Sequence, residues 1–448
     1  MSALAAFAAE RGARVFGSDR EFDRHPDRAV FRMLAAKGVA MTPQDGSGID
    51  ESFNLAVFST AVEPDNPDAR RVAETGVRKI LRPDFLAGIV NSHRSIAIAG
   101  TSGKSTISGM LAFVMHRLGL RPNFIGGGKV KQFRTESNPG NAVTGQSNLL
   151  VAEACESDGS IVRYHPSISL ISNLSLDHHK IEDTTVMFSM LAGQTRETII
   201  VNADDPWLRN VKTSGSVMTF GIDSPCDVRA ENVAPEGFGA AFTVGGVQLR
   251  ISLPGIHNVY NALSALSALR ALGVSPDQAA PALAEFSGIE RRFDIHLNEN
   301  GRLVVDDYAH NPDKIAALMK TVAAMRENVC YVFQPHGFGP TRLMRDGYID
   351  TFSTHLRNGD RLFLLPILYA GGTTDMSISS EDLAGPIRKR GRNAETVENR
   401  EALIGKIYSS DTWIIFGARD DSLSGFAASM AHTLRHITHR VTPLTVGH

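Results

Sequence analysis

The stretch SIAIAGTSGKSTISGML, Ser95–Leu111, decides the fold. It reads as an apolar strand, a glycine-containing turn and the start of a helix. Gly100, Thr101, Ser102 and Gly103 make the turn, and Lys104, Ser105 and Thr106 stand where the helix begins. Backbone N–H groups at such a helix start wrap phosphate oxygens, and the helix dipole adds to the attraction. In this arrangement Lys104 reaches the outer phosphates and Ser105 ligates Mg²⁺. The turn is shorter than G-x-x-x-x-G-K-[ST] requires, because Ile98 stands at the first glycine's place. Ile107, Met110, Leu111 and Val114 recur at helical spacing, which predicts a helix with one face packed on a sheet.

Working outward, three more apolar runs end in polar residues. NLLVAEACESDGS (Asn148–Ser160) runs into Glu156 and Asp158. ISLISNLSLDHHK (Ile168–Lys180) runs into Asp177 and His178, and ETIIVNADDP (Glu197–Pro206) into two aspartates. Strands that end this way share one crevice at the carboxyl edge of a parallel sheet. Either end alone reads better as a solvated loop, but two of them beside a phosphate turn point to Mg²⁺ held between protein and phosphates.

The flanks repeat the alternation. ALAAFAAERG (Ala3–Gly12) is helical by composition, and ARVFGSD (Ala13–Asp19) and NLAVFST (Asn54–Thr60) read as strands. Residues 226–252 read as short strands with glycine turns, followed by an Ala/Leu-rich helix from Asn258. After GIERRFD (Gly288–Asp294) strands recur at RLVVDDY, NVCYVFQP, RLFLLPIL and DTWIIFGA. The fold class is α/β, and three domains are the simplest division: 1–90, 91–290 and 291–448.

Composition narrows the classes. In 448 residues, 42% are hydrophobic and 21% charged, with a formal net charge of −2. That balance gives no basis for nucleic acid or an anionic membrane as partner. Three scattered cysteines without a CxxC pair fit a reducing cytosol. No run approaches the ~18 apolar residues of a membrane span, so a cytoplasmic protein is expected.

Three further clusters leave alternatives open. His257, Asn258 and Asn261 flank a helix start, where amides either cap the helix or read adenine. Arg291 and Arg292 are a solvated pair or cations that stabilise charge during group transfer. Asp306, Asp307, Tyr308 and His310 end another strand, as a loop or as part of a site.

Taken in order, these motifs resemble the Mur ligase family. Gly100–Thr106 matches G-T-x-G-K-[ST]-[ST], and Glu153–Gly159 matches E-x-x-E-S-D-G. N-x-x-x-D-H falls at Asn173–His178, N-A-D-D-P at Asn202–Pro206 and L-P-G-x-H-N-x-x-N-A at Leu253–Ala262. R-R-F and D-D-Y-x-H-x-P begin at Arg291 and Asp306. The set is most similar to the branches that join L-alanine, or a recycled tripeptide, to UDP-N-acetylmuramate. The resemblance implies an N-terminal Rossmann-like domain for the nucleotide sugar, a central P-loop ATPase-like domain and a C-terminal Rossmann-like ligase domain. It implies ATP and Mg²⁺, and a carboxylate that is activated as an acyl phosphate and then taken by an amine. Lys104 and Arg292 would contact the transferred phosphoryl, and Ser105, Glu156 and His178 would hold Mg²⁺. His257, Asn258 and Asn261 would face adenine and Asp307 the ribose. Ser18, Asp19, His310, His336 and Arg342 are the substrate-side candidates. Partners are small molecules: a UDP-N-acetylmuramate-like nucleotide sugar and an amino acid or peptide, with no nucleic acid and no membrane, and the protein itself is expected to be a monomer or homodimer. A ligase for another carboxylate and amine, or a non-catalytic nucleotide-binding relative, is the alternative.

Two departures stand out. The L-alanine branch begins with a strand and G-x-G-G-x-G-M-S. Here Met1-Ser2-Ala3 matches only the residues at the end of that motif, and about a dozen upstream residues would complete it. A chain starting at Met1 is expected to leave the first sheet with an unpaired edge. Second, that branch carries Q-P-H-R-Y-[ST]-R-T, and here Gly337 and Pro340 replace both arginines. A carboxylate gripped by a bidentate arginine is not gripped that way by glycine. Arg342 and Arg345 lie close by in the sequence as substitutes.

Overall fold

Two blocks of parallel sheet carry the chain. The computed structural model describes residues 1–157, 159–175, 179–369 and 375–436. Its packing divides at Glu290, into one unit of Met1–Glu290 and a second from Arg291 onward.

In the first unit, Val15–Gly17 (β1) pairs with Val39–Met41 (β2), and Ala56–Phe58 (β3) with Lys79–Leu81 (β4), both in parallel. These are two separate two-stranded sheets rather than the one sheet expected. The large sheet has eight strands: Arg94–Ala99 (β5), Asn123–Ile125 (β6), Ala142–Val143 (β7), Leu149–Glu153 (β8), Ile168–Ile171 (β9), Thr198–Asn202 (β10), Ser216–Gly221 (β11) and Val228–Arg229 (β12). Their order is β12-β11-β10-β9-β5-β8-β6-β7, and only the β6–β7 pair is antiparallel. Glu231–Glu236 (β13), Gly239–Val244 (β14) and Val247–Ile251 (β15) add an antiparallel three-stranded sheet.

Alternation along β5 separates the two faces of the large sheet. Ile96 and Ile98 join a core with the Lys104–Arg117 and Ile256–Ala271 helices, while Ala97 and Ala99 join another with Leu4 and Phe7 of the first helix. Both faces are therefore covered, and the parallel strands are apolar nearly throughout. The one-faced helix expected after Ser105 is corrected here. Every residue from Thr106 to Met115 is buried, because the helix is packed by the sheet on one side and by Ile256–Ala271 on the other.

The second unit is a six-stranded sheet: Asp294–Glu299 (β16), Arg302–Asp307 (β17), Cys330–Phe333 (β18), Arg361–Leu364 (β19), Ala394–Thr396 (β20) and Thr412–Phe416 (β21). The order is β16-β17-β21-β18-β19-β20, parallel apart from the β16–β17 hairpin. Its core is built on Val304, Val332, Phe363, Trp413 and Ile415. No helix among the described residues is long and apolar enough to cross a membrane.

Candidate active site

Three neighbouring strands of the large sheet, β9-β5-β8, deliver the first group of side chains to one edge. Beyond β5 the chain turns through Gly100 at φ +142° and Gly103 at φ +80°, and the helix begins at Lys104. A Cβ on Gly100 would lie 2.2 Å from Ser172 Oγ, and one on Gly103 would lie 2.6 Å from Asn261 Oδ1. The cradle therefore requires glycine for both space and backbone conformation. The first intrahelical bond runs from Ile107 N–H to Gly103 O, so the amides of Lys104, Ser105 and Thr106 form the open first turn.

Lys104 Nζ donates to Gly100 O at 2.6 Å and pairs with Glu156 Oε2 at 2.8 Å. The pair is buried, with 14% of the Lys104 side chain and 3% of the Glu156 side chain exposed. Ser105 Oγ turns to a different carboxylate, donating to Glu153 at 3.2 Å. Glu153 also accepts the Gly127 N–H at 2.6 Å and the Ser108 hydroxyl at 3.4 Å. Sequence reasoning passed over Glu153. The signal was present, since Glu153 is the last residue of its strand and the first carboxylate of E-x-x-E.

Asn173 is a second missed residue. Its Oδ1 accepts from the Thr101 hydroxyl and from the Ser102 N–H, each at 2.9 Å, so the turn after β9 clamps the Gly100–Gly103 turn. Asp177, His178 and Asp158 lie outside the described residues, so the His178 expectation is not placed. Among the described residues, no three of His, Cys, Asp and Glu form a closed metal site. The donor set of Ser105 Oγ and Glu153, beside Glu156, fits Mg²⁺ that takes its remaining oxygens from phosphate and water.

The amide pair beside the turn is locally bonded. Asn261 Nδ2 donates to Asn258 Oδ1 at 2.9 Å, and Asn258 Nδ2 to Pro254 O at 2.7 Å. Both asparagines are buried while His257 is exposed. The aspartates of N-A-D-D-P are framework: Asp204 accepts the Ile222 and Ser224 amides and the Tyr260 hydroxyl, and Asp205 the Leu174 amide. Farther toward the N-terminus, the Ser18 hydroxyl donates to Asp68, and Asp19 caps the Arg20–Arg24 helix through the Glu21 amide at 2.8 Å.

The second unit gathers its own cluster at the carboxyl edge of its sheet. Asp307 accepts the Phe293 and Ala309 amides, each at 2.7 Å. Asp306 is fully buried, with Arg291 Nε at 3.3 Å. Loss of solvation outweighs that arginine and pushes the Asp306 carboxyl up to about 7. The Arg291 and Arg292 guanidinium carbons lie 5.2 Å and 4.8 Å from the centre of the Tyr308 ring. The His310 and His336 rings are 5.4 Å apart. Burial holds His310 down to about 4 and also lowers His336, so both are neutral at pH 7. Arg342 pairs with Asp375 at 2.9 Å and Arg345 with Asp346 at 2.7 Å, both at the exposed surface.

Comparison with known proteins places these features in a family. The description "Mur ligase family, catalytic domain" matches residues 1–94, "Mur ligase middle domain" residues 98–269 and "Mur ligase, glutamate ligase domain" residues 291–434. The UDP-N-acetylmuramate–L-alanine ligase of a Synechococcus species is 32% identical, covering 94% of this chain and 91% of its own. That of Streptomyces griseus is also 32% identical, covering 94% and 92%. In fold, the chain resembles the UDP-N-acetylmuramate–alanine ligase of Thermotoga maritima, with a TM-score of 0.78 at 24% identity over 97% of this chain and 96% of that one. It also resembles a murein peptide ligase of Psychrobacter arcticus, with a TM-score of 0.69 at 22% identity over 98% and 97%. With its glycine turn before Lys104, its ordered motifs and its three-domain α/β architecture, the chain belongs to the Mur ligase family.

Proposed function

We propose that this protein is an ATP- and Mg²⁺-dependent ligase that joins the amine of an amino acid or peptide to the lactyl carboxylate of UDP-N-acetylmuramate. The observation that carries the reading is the division of labour at one strand edge. Lys104 is fixed between Gly100 O and Glu156, and Ser105 faces Glu153. ATP supplies the phosphoryl group that activates the carboxylate toward the amine. Around it, the Lys104–Thr106 amides and the Lys104 ammonium neutralise phosphate charge, while Asn173 keeps the turn in shape. Ser105 and Glu153 would hold Mg²⁺, which would neutralise phosphate charge, and Glu156 positions Lys104. The work is positioning and charge neutralisation rather than covalent catalysis. The printed names of the 32%-identical relatives support this choice of sugar substrate. A need for ATP and a nucleotide sugar supports a reaction in the cytoplasm.

The test is phosphate release from ATP and Mg²⁺ with UDP-N-acetylmuramate against a panel of amino acids and short peptides. Release that requires both the sugar and one amine, and that is lost in Lys104→Ala, supports the ligase. Release independent of the sugar contradicts it.

A further inference from the structure

The three central strands of the second unit place three turns side by side. In β17-β21-β18 the last residues are in register, Asp307 with Phe416 and Phe416 with Phe333. The chain leaves β17 toward His310, β18 toward His336 and β21 toward Arg419, so the Arg419 turn emerges between the two histidine turns.

Arg419 is exposed and has no hydrogen-bond or ion-pair partner among the described residues. Of the two carboxylates that follow it in the chain, the first is paired with an arginine and the second is largely exposed. Asp420 pairs with Arg400, which is itself anchored on Gln334 Oε1 at 2.6 Å, and Asp421 faces Arg291 Nη1 at 3.9 Å. The backbone of Arg419 is left-handed, φ +64°, a conformation that glycine takes without strain. An unpaired arginine thus stands where glycine is the easier residue. Its charge acts on the His336 ring and adds to the burial that lowers that imidazole. His336 Nδ1 is buried without a partner, and His310 Nδ1 is tied to Tyr308 O at 2.9 Å, which leaves Nε2 of His310 for a ligand. The cluster thus combines an exposed, unpaired guanidinium with the free Nε2 of His310.

We propose that Arg419, flanked by His310 and His336, is the residue that reads the carboxylate of the incoming amine. This rests on the ligase reading above and deepens it: the acceptor is an amine that carries a carboxylate. Arg342 and Arg345, the substitutes suggested by sequence proximity, are held by Asp375 and Asp346, whereas Arg419 is not held. A bidentate guanidinium–carboxylate contact supplies the selectivity for a free acid over its amide.

The experiment uses the whole protein with ¹³C-labelled histidine, the two ring signals being assigned with His310→Gln and His336→Gln. The probes are L-alanine, L-alaninamide and the tripeptide L-alanyl-γ-D-glutamyl-meso-diaminopimelate. A carboxylate probe is expected to shift the His336 signal and L-alaninamide to leave it still. The shift is lost in Arg419→Ala and partly kept in Arg419→Lys. In turnover, Arg419→Ala raises KM for the amine by roughly tenfold or more, with KM for ATP unchanged. If ring signals move and depend on Arg419 but no sugar-dependent product forms, the subsite stands and the ligase reading falls. Turnover with KM for the amine unaltered in Arg419→Ala overturns the proposal, as does a ring signal that no carboxylate probe moves.

Discussion

Lys104 Nζ lies 2.8 Å from Glu156 Oε2 and 2.6 Å from the carbonyl of Gly100, so the cation at the end of the glycine turn is locked to the chain beyond the adjacent strand. The pair is nearly dry, which makes it informative. Removing Lys104 alone leaves a buried carboxylate without compensation. Lys104→Met is expected to lower stability by roughly 3 kcal/mol and to abolish ATP turnover. The double variant Lys104→Met/Glu156→Gln regains most of the stability and none of the turnover. Urea midpoints and phosphate release on the same three proteins check this, and a single variant as stable as wild type would argue against a buried pair.

Glu153 separates from Glu156 by what each touches. Ser105 and the Gly127 amide point at Glu153, and Lys104 points at Glu156. Glu153→Gln is therefore expected to raise the Mg²⁺ concentration for half-maximal turnover by about tenfold or more. Retained Mg²⁺ dependence in Glu153→Gln would return the metal role to Glu156.

Gly100 has room for neither a side chain nor an ordinary backbone conformation. Its Cβ would sit 2.2 Å from Ser172 Oγ, at φ +142°. Gly100→Ala is expected to weaken binding of a non-hydrolysable ATP analogue by roughly tenfold or more, read by titration calorimetry. Unchanged affinity would show that the turn is not the phosphate cradle.

Two buried groups of the second unit give opposite pH signatures. His310 is neutral in the fold down to about 4, chiefly through burial, while an unfolded histidine takes its proton near 6.5. The unfolded state binds more protons between those values, so this stability is lost as pH falls from about 6.5 toward 4. Asp306 is raised to about 7, chiefly by burial, so the folded state binds more protons and stability falls as pH rises from about 4 to 7. Relative to wild type, His310→Gln is expected to lose roughly 2 kcal/mol less stability between pH 7 and pH 5. Asp306→Asn changes the slope in the opposite direction. Denaturant unfolding at the two pH values checks both signs.

Much of this was legible in the sequence for a physical reason. Buried parallel strands read as apolar runs, and their polar ends mark the crevice, so β5, β8, β9, β10, β17, β18 and β21 were all anticipated. The short strands at or next to a sheet edge were not: β6, β7 and β20 are two or three residues each, too few for a period to show. Helical spacing at Ile107, Met110 and Leu111 predicted one buried face, but burial all round comes from a second helix that local pattern does not reveal. The choice between Glu153 and Glu156 turns on where β8 ends, and strand boundaries are the least visible feature of a sequence. Arg419 was invisible because its meaning lies in a left-handed backbone and in the arginine that occupies Asp420.

The central claim is that the Lys104 turn spends ATP on joining a carboxylate to an amine. The most direct measurement is mass spectrometry of the product formed from ATP, Mg²⁺, UDP-N-acetylmuramate and the amine panel, with Lys104→Ala alongside. The account predicts a new amide of the nucleotide sugar, formed with one phosphate released per product and absent in Lys104→Ala. ATP hydrolysis without any amide product, or amide formation that survives Lys104→Ala, would contradict it.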